Sequence, residues 1–333
     1  MPNAPGAAYG NLLTRIRTTP TSPRTLRVAA LAAIVANAGI VVTGGAVRLS
    51  NSGLGCPTWP DCTDGRLLPG GANTHSAGHQ GIEFGNRLLG ILVLATAVLM
   101  VLAAWRARPR RRRLFLMSWW LPAGFLAQAV LGGITVRAKL NPLVVAPHFL
   151  LSMVLVFVAV WIYCSIGEGD APARPLVRRE LGWGVRALVV IVAAVEVVGT
   201  LVTATGPHAG DPGTKRLAWD ARDVTQFHAD LVFLYVGIVL ALLLGFIATG
   251  APAVVRRRSV ELIGVILVQA AIGYVQYFLH VPAVLVAFHM AGATLATIAT
   301  ARLYFATRTR GSARPDGASE PRPGRSRERI LAP

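Results

Sequence analysis

Charge is what this sequence has little of. Only 14% of its 333 residues are Asp, Glu, Lys or Arg, where soluble domains carry about 25%. Acidic side chains are the scarcer sign, 15 against 33 Lys and Arg. Cysteine is nearly absent as well. Cys56 and Cys62 lie close together without further ligands around them, and Cys164 stands alone, so a cysteine-built metal centre is excluded. What fills the chain is apolar, 53% by count, with a mean hydropathy of +0.54.

The few charges sit in short clusters between long apolar runs. Eight runs are visible, roughly 27–47, 82–104, 114–136, 143–164, 185–204, 225–248, 259–279 and 282–305; about 20 apolar residues span a bilayer core as helix. This predicts an all-α polytopic membrane protein with eight transmembrane helices. Residues 1–26 are polar and basic and run into a span too long for a signal peptide core, so no cleaved leader is expected.

A net charge of +18 could speak for nucleic acid. Its distribution argues against that and for membrane lipid as the partner. With the N-terminus inside, the segments facing the cytoplasm hold 24 of the Lys and Arg residues and the opposite segments 7, as the positive-inside rule requires. Both termini are therefore expected in the cytoplasm, and Arg110 to Arg113 anchor the chain at anionic lipid. The Ala-, Arg- and Gly-rich usage suggests a bacterial plasma membrane.

The chain divides near Pro175, with four spans on each side. Gln128, Gly132 and His148 recur as Gln269, Gly273 and His289 at one offset of 141 residues, and Gly39 and Thr43 recur as Gly199 and Thr203. The expected organisation is a tail (1–26), a four-helix bundle (27–170), a linker (171–184), a second pseudo-symmetric bundle (185–305) and a disordered tail (306–333). Parallel repeats of this kind also occur in transporters.

Three histidines fall inside spans: His148, His228 and His289. All sit on helices that start at the outer surface, at matching depth. Histidines on facing helices of a bundle suit axial ligation of haem iron, so His228 and His289 are the expected haem-ligand pair. Zinc is less suited, since the second half offers only these two. In the first half no histidine faces His148. Span 2 presents Glu83 and Asn86 on one helix face, with His79 one turn earlier. Glu83 either pairs with Arg87, four residues on, or serves proton transfer beside a reacting cofactor. Glu196 lies deep in span 5 and takes no role from sequence.

The first loop on the outer side contains Cys56 and Cys62 around two prolines. A disulfide is permitted there, either as a structural staple or as a redox-active pair. Arg48, just before it, is an interfacial anchor or a partner for a haem propionate.

The run Gly45-Ala46-Val47-Arg48-Leu49-Ser50-Asn51-Ser52-Gly53-Leu54-Gly55-Cys56-Pro57-Thr58-Trp59-Pro60-Asp61-Cys62 resembles the signature loop of the heme A synthase family. The resemblance extends over residues 27–305. It implies an oxidoreductase that converts a ring methyl of haem O to a formyl group through alcohol and diol stages, with water as the oxygen source. It implies haem b held by His228 and His289, a substrate half holding Glu83 and His148, and Cys56 and Cys62 as the family's cysteine pair. Heme O synthase becomes the expected partner, beside an electron acceptor without identity. One departure stands out: Asn86 replaces the histidine of the family's Glu-x-x-His-Arg motif. That loss motivates the alternative of a non-catalytic haem-binding or cytochrome b-type electron-transfer protein.

Overall fold

The computed structural model describes residues 20–63, 65–70 and 76–311. Residues 1–19 and 312–333 of the two expected tails, together with His75, lie outside these.

A capping side chain starts four of the helices. α1 (Pro23–Leu49) begins on Ser22, whose side chain accepts the Thr25 N–H at 3.1 Å, and Pro23 sits in its first turn where a missing donor costs nothing. α2 (Ala77–Trp105) starts on Ser76 in the same way. The third span is broken into α3 (Arg112–Ser118) and α4 (Trp120–Arg137). This differs from the single run expected. Pro122 has no N–H to give to the Ser118 carbonyl, so the ladder stops at Trp119. Asn141 caps α5 (Pro142–Ser165) at the Leu143 amide. The second half comprises α6 (Arg179–Thr205), α7 (Ala221–Ala248), α8 (Ala253–Phe278) and α9 (Ala283–Ala306), with Asp220 capping α7.

Among the described residues, eight helical segments, α3 and α4 counted as one, are long and apolar enough to cross a membrane. Their outward faces stay apolar too: Val190, Leu244 and Val284 are exposed. A helix that is apolar all round and not covered by protein belongs in lipid. The chain is thus an all-α, multi-pass membrane protein.

Two apolar cores form, each drawn from one half. Leu26, Met100, Leu114 and Ile162 belong to the first, and Val185, Phe246, Leu262 and Leu303 to the second. α1 and α5 meet α9 along a seam of Val41, Met153, Val156 and Val160 with Ala293, Ala301 and Phe305. A Cβ on Gly45 of α1 would lie 2.7 Å from Met290 Sδ on α9, so glycine is what lets these two helices close up.

The arginine-rich end is tied across the halves. The expected tail from 306 does not begin there. Arg308–Thr309 (β2) pairs antiparallel with Arg174–Pro175 (β1) of the linker, and the Gly169 amide donates to the Gly311 carbonyl at 2.9 Å. Arg111 meets Asp170 at 3.3 Å, and Arg113 and Arg310 both approach Glu168. Backbone pairing and these charges hold the segment in place although its composition is polar.

Candidate functional site

The three in-span histidines have one local geometry, repeated. Each ring turns its Cε1–Nδ1 edge against a glycine on a neighbouring helix. A Cβ on Gly132 would lie 3.4 Å from His148 Cε1, one on Gly199 3.2 Å from His228 Cε1, and one on Gly273 3.3 Å from His289 Cε1. With that edge against the helix, Nε2 is the nitrogen left pointing away. Two of the backbones are held alike. Gln128 Nε2 donates to the His148 carbonyl at 3.0 Å, and Gln269 Nε2 to the His289 carbonyl at 2.7 Å. The repeat seen in sequence as Gln, Gly and His is therefore one device: a glycine that admits the ring and an amide that fixes its helix.

In the second half His228 on α7 faces His289 on α9, with ring centres 6.5 Å apart and planes at 65°. An imidazole nitrogen binds a first-row metal at about 2.0–2.1 Å, and the ring centre lies roughly 1.1 Å behind it, so two rings trans to one metal stand about 6.3 Å apart. The observed spacing fits one iron between the rings. Among the described residues no cluster of three or more His, Cys, Asp or Glu could hold a metal ion. A centre with two axial imidazoles and its own macrocycle suits the donors present.

The first half lacks the second imidazole. Asn86 stands where His228 stands in the repeat, and its Oδ1 accepts the Thr43 hydroxyl at 2.8 Å. Gly39, the counterpart of Gly199, has no atom within 4 Å of where its Cβ would be. The space the His228 ring fills in one half is open in the other. A cleft of about 460 Å³ between α1 and α2 reaches Asn86 from the side.

One turn along α2, Glu83 and Arg87 clamp the first loop. The Cys56 amide donates to Glu83 Oε2 at 2.7 Å, and Arg87 Nη2 donates to Glu83 Oε1 at 2.7 Å. Arg87 also donates to the carbonyls of Cys56, Thr58 and Asp61 at 2.8, 3.1 and 3.0 Å. Cys56 and Cys62 form a disulfide, and both are buried. Trp59 lies over Gly133 of α4, where a Cβ would come within 2.7 Å of the indole. His79, one turn before Glu83, has its Nδ1 3.0 Å from the Asn51 carbonyl.

Residues 27–301 match the cytochrome oxidase assembly proteins, COX15-CtaA. The chain belongs to this family. It is similar to the heme A synthase of Geobacillus kaustophilus (strain HTA426), 28% identical over 138 residues, covering 40% of this chain and 41% of that one. A heme A synthase of Geobacillus thermodenitrificans is 34% identical over 112 residues, 33% and 32% of the two chains. One of Lysinibacillus sphaericus (strain C3-41) is 27% identical over 186 residues, 55% and 59%. The matched stretches thus span between about a third and three-fifths of these relatives.

Two further features carry no mark in the sequence. Arg48 and Arg216 converge on one carbonyl at the end of α6. Arg48 Nη2 donates to the Thr203 oxygen at 3.0 Å and Arg216 Nη2 at 2.7 Å, and Arg216 also reaches Gly206. A helix C-terminus favours cations, yet two guanidinium groups at one oxygen exceed what it needs. Burial pushes the Arg216 guanidinium below its usual value. The second feature concerns Glu196, which accepts the Thr297 hydroxyl of α9. On the same face of α9, one turn on, Thr300 bonds Tyr235.

Proposed function

We propose that the chain is a heme A synthase whose second half carries haem b and whose first half takes haem O. The spacing of His228 and His289, beside an incomplete copy of the same device around His148, is the observation that carries this reading. A protein that only binds haem has no need for one complete and one open site.

Haem b would be held by His228 and His289 and supplies a route by which electrons leave. On the substrate, a ring methyl takes oxygen from water with loss of two electrons and two protons to give an alcohol. A second water, with loss of two more electrons and two more protons, gives the diol, which loses water to leave the formyl group. His148 orients haem O through its iron, and Asn86 leaves the opposite face without a strong ligand, because a neutral amide competes poorly with imidazole. Glu83, one turn from Asn86, accepts the protons released. A second reading of Glu83 rests on its two contacts: a carboxylate bonded to both Arg87 and the Cys56 amide positions the loop. Arg48, with Arg216, meets the haem propionates, as paired guanidinium groups suit carboxylates.

The matches to bacterial heme A synthases and the distribution of arginine support a plasma-membrane protein with both termini in the cytoplasm and the disulfide loop outside. Heme O synthase is the partner that supplies the substrate, since haem O is too apolar to cross water freely.

Extraction of haems after co-expression with a haem O producer tests the activity. Haem A should accumulate. Unchanged haem O from a folded, haem b-loaded protein would leave the haem-binding or electron-transfer alternative. Glu83→Gln in the same assay separates the readings of Glu83. Loss of haem A with the disulfide loop intact favours the base, and retained turnover favours the clamp.

A further inference from the structure

The second half carries a polar chain inside its bundle that the first half does not. Glu196 of α6 accepts the Thr297 hydroxyl of α9. One turn along α9, the Thr300 hydroxyl bonds the Tyr235 hydroxyl of α7. Thr297, Thr300 and Tyr235 are buried. The repeat pairs Gly199 with Gly39, His289 with His148 and His228 with Asn86. It likewise pairs Glu196, Thr297, Thr300 and Tyr235 with Ala36, Val156, Ala159 and Val93. Every polar member is apolar in the first half, where Val93, Val156 and Ala159 are buried. The shared fold therefore closes without a carboxylate at this place. A carboxylate within a span is costly to keep, and what the second half has in addition is the facing pair His228 and His289.

Glu196 sits beside that pair. It lies three residues before Gly199, the glycine against the His228 ring. The two share a face of α6, about 4.5 Å apart along its axis. Few ionisable groups come near from the helices packed against α6, which are α7, α9 and α5. α7 brings His228 and Tyr235. α9 brings His289 and, beyond Thr300, Arg302, which pairs with Glu261 at 3.6 Å. α5 has none between His148, which faces Gly132 of α4, and Tyr163. On α6 itself the next charge inward is Arg186, over the Trp183 ring. Among the described residues no Lys or Arg pairs with Glu196.

We propose that Glu196 is the proton partner of haem b: it takes up one proton as the haem gains an electron and returns it as the electron leaves. The inference rests on the assignment of haem b to His228 and His289. The electron comes from the substrate methyl in turnover, or from dithionite in a test, and a one-electron carrier or ferricyanide takes it back. One electron and one proton enter together and leave together. Iron loses one unit of positive charge on reduction, and in a poorly hydrated interior one charge nearby changes a carboxylate's proton affinity by about tenfold or more. Thr297 suits both forms of Glu196. Its hydroxyl donates to the ionised carboxylate. Once Glu196 carries the proton, that hydrogen can turn to the Ala293 carbonyl, 3.2 Å away, and the hydroxyl oxygen accepts instead.

The test reads a potential, not turnover. Full-length protein in lipid nanodiscs, loaded with haem b, is titrated between dithionite and ferricyanide at a series of pH values. The low-spin absorbance gives the midpoint. In the wild type the reduction equilibrium should fall as pH rises, by up to about tenfold per pH unit, or about 59 mV for one electron. Glu196→Gln can still accept the Thr297 hydroxyl but exchanges no proton, so it should flatten the dependence. An unchanged slope in Glu196→Gln gives the proton to another group, such as a haem propionate, and overturns the proposal. A wild type without a slope does the same. Should Glu196→Gln fail to hold haem b, Glu196→Ala carries the same comparison, since alanine is what the first half has there and Thr297 keeps its bond to Ala293. If neither variant holds haem b, Glu196 is a tie between α6 and α9 and the proposal falls. A wild type with no low-spin haem b at all is a different failure, that of the ligand pair.

Discussion

At the scale of single residues, the site depends on what lies behind each imidazole. A ring that must meet iron at a fixed distance cannot shift, and Gly199 is already at 3.2 Å to His228 measured from where a Cβ would be. Replacing either His228 or His289 with Ala should abolish a low-spin haem b spectrum. Gly199→Val should weaken it by pushing the ring off its axis. Reduced-minus-oxidised absorbance of purified protein reads both, and a retained low-spin band in His289→Ala would refute the ligand pair. The histidines could be found in sequence because His148 and His289 share an offset with Gln128 and Gln269. The use of those glutamines could not. Their partners are backbone carbonyls, which carry no mark in a sequence. Arg216 is unmarked for the same reason: in sequence it is one more loop charge, and its acceptor is the backbone oxygen of Thr203.

At the scale of elements, eight spans were legible because length and apolarity alone define them. The break at Trp119 and the β1–β2 pair were not. One absent N–H and two strands of two residues lie below any periodicity. The first loop shows a further limit. Its sequence permits a disulfide, but the structure adds a second, independent tether from α2. Arg87 reaches four loop carbonyls and Glu83, and its loss would strand a buried carboxylate. Arg87→Ala should therefore lower stability by about 3 kcal/mol. Arg87→Lys should recover little, because one ammonium cannot serve a carboxylate and several carbonyls in fixed directions. Cys56→Ser should cost less, about 2 kcal/mol for so short a loop, with the loop still clamped to α2. Thermal unfolding in detergent ranks the three variants. If Cys56→Ser proved the most damaging, the clamp would be secondary to the disulfide.

At the scale of the whole molecule, the halves share a plan and differ where chemistry is expected. Both cores are closed at the arginine-rich end, and the seam of α1 and α5 with α9 joins them along its length. At the other end the joining contact is polar. Arg48 leaves the first half at the end of α1 and bonds the last turn of α6 in the second, beside Arg216. Two guanidinium groups this close repel, and the Thr203 carbonyl is a weak counterweight for both. An anionic group between the halves would relieve that repulsion, and a haem propionate is the anion the proposed cofactor brings. Removing either arginine should then have two opposing effects. Protein without haem should be unharmed or slightly stabilised, since one of two like charges is gone. Protein with haem should release it faster, because a charge-assisted bond contributes about 1.5–3 kcal/mol. Arg48→Gln and Arg216→Gln are thus expected to speed haem b loss to an apomyoglobin acceptor by about tenfold or more. Thermal stability of the haem-free protein should hold. A fall in haem-free stability with no change in haem release would make the pair a structural tie between the halves and remove Arg48 from the cofactor site.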